Sequence, residues 1–174
     1  MKLTSYHHSL LKKISLLFYG KTISNIIIIS DEDDDLIDNV RFFELESGGV
    51  VGFYINGSNP LISINHIDEF DDFNLYASYS TLSESKEREF LPFKVEFIKV
   101  FFHPGYNEVV SIFLSSSDFS LSIYIVFSTD EIYTHMNCKK DDLTKMVKED
   151  LVQFEDIDFL RCQMDSSNDN WSYI

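Results

Sequence analysis

The sequence predicts an α+β fold: a largely antiparallel β-sheet with an N-terminal helix and a second helix near the C-terminus. Helical spacing of apolar residues marks the two ends of the chain, and runs of β-branched and aromatic residues fill the middle. Sixteen Phe and nine Tyr supply a large core. The 174 residues fit one domain over residues 1–163, and the Ser/Asn/Asp-rich segment 164–174 is expected to be a flexible tail.

Both predicted helices are amphipathic. In the first, apolar residues recur at steps of three and four, and Leu16 is the one break in the pattern. Gly20 follows this helix at a position suited to a C-cap. The second helix is expected over 141–154, and a last strand over 157–162. The apolar stripe of the first helix comprises Leu3, Tyr6, Leu10, Ile14, Leu17 and Phe18, and that of the second comprises Leu143, Met146, Val147, Leu151 and Phe154.

Short β-rich runs predict strands in the first half of the chain. Four consecutive isoleucines dominate 23–29, which favours a buried strand. The runs 39–46 and 50–56 flank Ser47-Gly48-Gly49 and predict a hairpin, and a short strand is expected at 61–65. Thr81 to Glu84 form a capping-box pattern, which predicts a short charged helix that Pro92 ends.

The clearest β signal lies in three runs, 93–103, 108–115 and 119–128. Pro104-Gly105 separates the first two, and a Ser/Asp cluster separates the last two. In the third run, Phe119, Leu121, Ile123, Ile125 and Phe127 share one face, and Ser120, Ser122 and Tyr124 the other. These runs predict an antiparallel meander with one face on the core.

Negative charge is the most unusual feature of the composition. The net charge is −15, which disfavours nucleic acid and anionic membranes and favours basic proteins or cations as partners. The charge is concentrated: residues 1–30 carry +4, whereas residues 31–72 carry −11. Solubility alone is the simpler explanation of such an excess.

Two acidic clusters are the predicted partner-binding residues. Carboxylates beside exposed aromatic side chains suit a protein interface, because charge steers the approach and aromatic rings supply contact area. The alternative is a solvated loop whose aromatic residues face the core. The predicted residues are Asp31, Glu32, Asp33, Asp34 and Asp35 in the first cluster, and Asp68, Glu69, Phe70, Asp71 and Asp72 in the second.

Known catalytic and metal-binding motifs are incomplete. Gly20-Lys21-Thr22 ends like a phosphate-binding loop, but Ser15 replaces the required Gly. Asp31, Asp33 and Asp35 have the opening spacing of an EF-hand loop, yet Leu36 and Phe42 occupy the required Gly and Glu positions. His135 and Cys138 make only half of a zinc site. No cofactor or metal site is therefore predicted, and the protein is not expected to be an enzyme.

The N-terminal residues and the cysteines predict a cytoplasmic protein. Lys12 and Lys13 interrupt the first apolar stretch, which is too short for a signal peptide, and no run reaches the length of a membrane span. Cys138 and Cys162 are expected to be thiols, although one disulfide between them is the alternative.

In overall character the chain resembles bacterial immunity proteins of contact-dependent growth inhibition and related polymorphic toxin systems. The likeness lies in the N-terminal helix, the aromatic-rich antiparallel sheet and the acidic patches, and in no single motif. It implies a protein that neutralises a cognate toxin domain, such as a nuclease, by blocking its active site or substrate groove. The alternatives are an acidic mimic of nucleic acid that inhibits a DNA-binding protein, and an enzyme built from scattered residues such as Glu96, His103, Asp130 and His135.

Overall fold

Among the described residues of the computed structural model, an N-terminal helix packs with two antiparallel sheets. The structure describes residues 3–30, 33, 35–55, 57, 59–64, 80–83, 88–103, 108–138, 145–146, 160–165 and 168–173. Helix α1 spans Ser5–Phe18, and a short 3-10 helix spans Arg88–Phe90. The strands are β1 Thr22–Ser30, β2 Val40–Leu45, β3 Val50–Tyr54, β4 Leu61–Ile64, β5 Ser80–Ser83, β6 Phe93–Lys94, β7 Phe97–Phe102, β8 Val109–Ser115, β9 Ser122–Phe127, β10 Ile132–Met136, β11 Leu160–Asp165 and β12 Asn168–Tyr173.

Helix α1 begins and ends at specific caps. The Thr4 hydroxyl accepts a hydrogen bond from the His7 backbone N–H at 3.4 Å, and His7 Nδ1 accepts one from the Thr4 N–H at 3.0 Å. This reciprocal pair satisfies two N–H groups that the first turn leaves open. At the other end, Gly20 has φ +72°, a left-handed conformation that glycine adopts without strain. The predicted helix and its C-terminal glycine are confirmed.

The first sheet has the strand order β4-β3-β2-β1-β5, and β6 also pairs with β1. The hairpin of β2 and β3 confirms the prediction from Ser47-Gly48-Gly49, and β4 confirms the short strand. Thr81, Leu82 and Ser83 lie in β5 and pair with β1, so the capping box predicted there is wrong. A strand forms there because the backbone of this segment pairs with the isoleucine-rich β1, which already belongs to the sheet.

The second sheet has the order β10-β9-β8-β7-β11-β12. The predicted meander is confirmed as β7-β8-β9, but the run 93–103 is divided. Phe93–Lys94 pair with β1 of the first sheet, whereas Phe97–Phe102 pair with β8 and β11 of the second. Hydrogen bonds from Gly20 N–H to Val95 O and from Val95 N–H to Lys21 O, each 2.8 Å long, hold the crossing.

Both faces of the second sheet are covered, which corrects the expectation of one core face. Every residue of β7, β8 and β9 is buried, including Ser122 and Tyr124. The main core cluster contains side chains from α1 and both sheets. A separate cluster on the opposite face comprises Phe97, Phe101, Val110, Phe113, Tyr124 and Val126, with Phe119, Cys138 and Met146 packed against it.

The C-terminal part departs from its prediction. Strand β11 runs to Asp165 rather than ending at Cys162, and β12 occupies Asn168–Tyr173 within the segment expected to be a flexible tail. Half-buried Trp171 packs against the main core, which gives this polar segment a reason to join the sheet. The helix predicted at 141–154 lies outside the described residues, apart from Lys145 and Met146, which have helical backbone.

Candidate functional site

The loop between β1 and β2 carries exposed carboxylates on a folded backbone. Leu36 forms an isolated antiparallel bridge with Ser30, and the Ile37 N–H donates to Ile29 O at 2.9 Å. Ile37 packs against the apolar cluster on the outer face of the first sheet. Asp33 and Asp35 are exposed, and 53% of Leu36 is accessible. An apolar side chain is therefore presented to solvent between carboxylates.

Arg41 anchors this loop from inside. Only 7% of the residue is exposed, and its Nη1 donates to Ile37 O at 3.0 Å and to Val40 O at 2.7 Å. Its Nη2 lies 3.4 Å from the Asp38 carboxylate, which is itself about half exposed. Arg41 is the only Lys or Arg between residues 31 and 72. Its guanidinium therefore binds backbone carbonyls from inside the loop and also offsets part of the charge of Asp38.

A second acidic segment lies beside this loop, brought there from the other sheet. The Ile132 N–H donates to Asp38 O at 2.7 Å, which joins the start of β10 to the loop. The turn before β10 contains exposed Asp130 and half-buried Glu131. The Gly57 N–H donates to Thr129 O at 2.9 Å and holds the same turn from a third segment. We use the term acidic surface for Asp33, Asp35, Asp38, Asp130 and Glu131.

The acidic surface contains only part of the predicted binding residues. Asp33 and Asp35 are in it, while Asp31, Glu32 and Asp34 lie outside the described residues. The second predicted cluster, Asp68, Glu69, Phe70, Asp71 and Asp72, also lies outside them. Sequence reasoning did not place Asp130 or Glu131 at this site, because a single acidic pair far along the chain carries no local signal of its neighbours in the fold.

His7 and the two histidines of the enzyme hypothesis, His103 and His135, each have structural contacts. His7 is fully buried in the α1 capping box, with its ring 4.5 Å from the Phe102 ring in an edge-to-face contact. Burial, and secondly the neighbouring His8, lowers the pKa of His7. His103 is buried at the end of β7, and its backbone N–H donates to Glu108 O at 2.8 Å. His135 stacks on Tyr124 with ring centroids 6.0 Å apart.

The described residues contain no group of three His, Cys, Asp or Glu arranged to hold a metal ion. His135 and Cys138, the half zinc site of the sequence, are close together, but the Cys138 thiol points to the His135 carbonyl oxygen at 3.8 Å. Glu96 forms an exposed pair with Lys94 at 3.1 Å, and hydrogen bonds from Lys94 and Ser117 lower its pKa. These contacts give each side chain a local structural partner.

An open depression of about 380 Å³ lies on the first sheet, lined by Ser24, Asn25, Glu44 and Leu91. It occurs where β1 pairs with β6 at Thr22–Ile23 and with β5 only from Ile27 onward. A register shift in the β1–β2 ladder between Ile23 and Asn25 accompanies it. The depression is shallow and polar, and it lies toward the end of β1 away from the acidic surface.

Comparison with known proteins found no matching family model, curated protein or solved structure. Among the described residues, no helix has both the length and the apolar character needed to cross a bilayer.

Proposed function

We propose that this protein binds a basic partner protein through the acidic surface and thereby neutralises it, the partner being a toxin domain such as a nuclease. The observation that carries the proposal is that Asp33, Asp35 and Asp38 lie on a loop held from inside by Arg41, and that a hydrogen bond from Ile132 N–H to Asp38 O joins this loop to the segment of Asp130 and Glu131. A solvated loop has no need of a buried arginine and cross-sheet hydrogen bonds to fix its shape. A fixed array of carboxylates presents a defined potential to an approaching partner.

Two features support binding of a protein rather than a small cation. Leu36 lies beside Asp35 with about half of its surface exposed, so the acidic surface also offers apolar contact area. The described carboxylates do not converge into a ligand set for a metal. Charge at the edge of a contact raises the association rate, and apolar anchors slow dissociation.

The blocking of a nuclease follows from the same charge. A nuclease must present a basic groove to its substrate, because phosphates are held by Lys and Arg. An acidic surface that occupies this groove excludes nucleic acid by direct competition. The protein would then need no catalytic chemistry of its own, and a complex of standard size would bury on the order of 1,600 Å².

The test is neutralisation in cells. A toxin domain encoded beside the gene for this chain is expected to stop growth when expressed alone, and co-expression of this protein is expected to restore growth. The test variant carries Asp35→Asn and Asp130→Asn, and we expect it to give weaker rescue at equal protein level. The absence of a neighbouring toxin gene, or co-expression that leaves toxicity unchanged, would contradict the proposal.

A further inference from the structure

Strand β10 forms one edge of the second sheet, and its hydrogen-bonding pattern defines which backbone groups face outward. The Asn137 N–H donates to Ser122 O at 2.7 Å, and the Ser128 N–H donates to Glu131 O at 2.9 Å. Both bonds belong to the β9–β10 register, in which Tyr133 pairs with Val126 and His135 with Tyr124. Since antiparallel ladders alternate, the backbone groups of Tyr133 and His135 face β9, whereas those of Ile132, Thr134 and Met136 face the outer edge.

Among the described residues, the outer edge of β10 has a backbone partner at its first position only. The Ile132 N–H donates to Asp38 O, so the loop of the first sheet already forms one rung of a ladder there. Within the described part of the chain, no backbone group pairs with the outward groups of Thr134 or with the Met136 N–H, while the Cys138 thiol lies 3.9 Å from Met136 O. The edge of the first sheet differs, because Lys13 of α1 donates to the Ile62 carbonyl of β4 and covers it with a charge. Unpaired edges are templates for another strand unless they are guarded.

The surroundings of this edge favour one kind of strand. Tyr133 is 46% exposed on β10, and Leu36 is 53% exposed in the adjacent loop, so aromatic and apolar contacts are available. Asp38, Asp130 and Glu131 cluster where β10 begins. A partner strand that pairs with β10 next to the Ile132–Asp38 hydrogen bond would place its side chains beside these carboxylates. Basic side chains would be stabilised there, and acidic ones would be repelled.

We infer that the outer edge of β10 accepts an extended basic segment of the partner as an additional antiparallel or parallel strand. The N–H and C=O of Thr134 and the N–H of Met136 supply the hydrogen bonds, and the acidic surface selects the charge of the segment. This is strand addition, in which the main chain gives affinity and flanking side chains give specificity. The inference rests on the proposed function for the partner's positive charge, and it adds where and how that partner docks.

The experiment uses the full chain and a defined probe, a blocked nine-residue peptide of alternating Lys and Val. Amide hydrogen exchange followed by NMR is expected to show fast exchange at Thr134 and Met136 in the protein alone and slowed exchange with the peptide. A peptide of the same sequence with alternate backbone nitrogens methylated cannot donate to the edge, and we expect it to bind at least tenfold more weakly. Because the protein is unchanged in this comparison, misfolding of a variant cannot explain the result.

Protein variants give a second test. Thr134→Pro removes an outward N–H without touching the β9 ladder, so it should abolish peptide binding, whereas Thr134→Val keeps the N–H and should bind normally. Equal, salt-sensitive binding of the methylated and unmethylated peptides would overturn the strand addition while leaving the acidic surface as a binding site. Equal binding of a Glu/Val peptide would instead refute the role of charge. Protection of Thr134 and Met136 before any peptide is added would overturn the inference outright.

Discussion

The two sheets have the same strand order, but the connection between their first two strands differs in charge and exposure. In each, four consecutive strands form a meander, and a later strand returns to pair antiparallel with the first: β4-β3-β2-β1-β5 in one sheet and β10-β9-β8-β7-β11 in the other. The link from first to second strand is the acidic loop in the first sheet. In the second sheet the corresponding link joins buried His103 to half-buried Glu108. Sheets of equal topology can therefore have connections that differ in charge and exposure. The acidic surface is a property of one connection and not of the topology.

The two sheets are held together by a cluster of aromatic side chains, and its loss is the largest effect we expect. Phe53 of β3 is fully buried and contacts the rings of Phe18, Phe43 and Phe127, with centroids between 5.5 and 5.8 Å away. Phe53→Ala should lower the free energy of unfolding by about 3–5 kcal/mol, measured by urea denaturation. Leu36→Ala, on the exposed loop, should change it by less than about 0.5 kcal/mol. Comparable losses for the two variants would contradict the packing described.

Arg41 should be the structural anchor that distinguishes the acidic loop from an ordinary surface loop. Arg41→Ala removes the donor to Ile37 O and Val40 O and leaves both carbonyls without it. We expect a loss of about 1–3 kcal/mol in unfolding free energy and faster amide exchange at Ile37. Lys94→Ala removes a base from an exposed pair with Glu96 and should cost about 1 kcal/mol or less. An Arg41→Ala variant as stable as Lys94→Ala would show that the guanidinium does not shape the loop.

The capping box of α1 should make stability depend on pH. The Thr4 N–H donates to His7 Nδ1, which requires the neutral imidazole, and burial lowers the pKa of His7. The unfolded chain then binds more protons than the folded one at pH values below the ordinary histidine range, so stability falls as the pH drops through about 6.5. His7→Gln should weaken this dependence while keeping the capping box, because a glutamine oxygen can accept the same bond. Exposed His8 provides the control His8→Gln, and an equal pH dependence in all three proteins would refute the role of His7.

The smallest expected effect is a change in the pKa of Asp118, which lies in the turn before β9. Asp118 accepts hydrogen bonds from Ser116 Oγ at 2.7 Å, Ser120 Oγ at 2.8 Å and Ser120 N–H at 3.1 Å. These bonds, that from Ser116 first, lower the pKa of the Asp118 carboxyl to about 2. NMR titration of the side-chain carboxyl should give this value, and Ser116→Ala should raise it. The stabilisation is present above the ordinary aspartate pKa and is lost as the pH falls through about 2. An ordinary pKa in the unaltered protein would contradict the turn geometry.

Local patterns predicted the elements better than their assembly. The spacing in α1, the Ser47-Gly48-Gly49 turn and the alternation in β9 each report on a residue's immediate neighbours, and the structure confirms those elements. The division of one apolar run between two sheets at Val95 depends on pairing with residues 70 and 72 positions away in β1. Periodicity contains no information about which sheet a strand joins.

The acidic surface was predictable only in part, for the same reason. A run of acidic residues is visible in the sequence, so Asp33 and Asp35 were predicted as partner-binding residues. Asp130 and Glu131 are an isolated pair, and only the bond from Ile132 N–H to Asp38 O places them beside the loop. The inward turn of Arg41 was equally invisible, because a lone base in an acidic segment looks like partial neutralisation until its partners are known.

The central claim is that the acidic surface, and not net charge in general, recruits the basic partner. The direct measurement is the rate constant for association of this protein with the toxin domain that it inhibits, at low and at physiological salt. The Asp35→Asn, Asp130→Asn variant is compared with a Glu46→Gln, Glu89→Gln variant of equal charge. Both control residues are exposed. The Glu46 N–H donates to Thr22 O, and Glu89 lies shortly before Phe93, which pairs with Ile23, whereas the acidic loop follows the Ser30 end of β1. At low salt, we predict that the association rate constant falls on the order of tenfold for the Asp35→Asn, Asp130→Asn variant and hardly changes for the control variant. Equal losses in the two variants would contradict the claim.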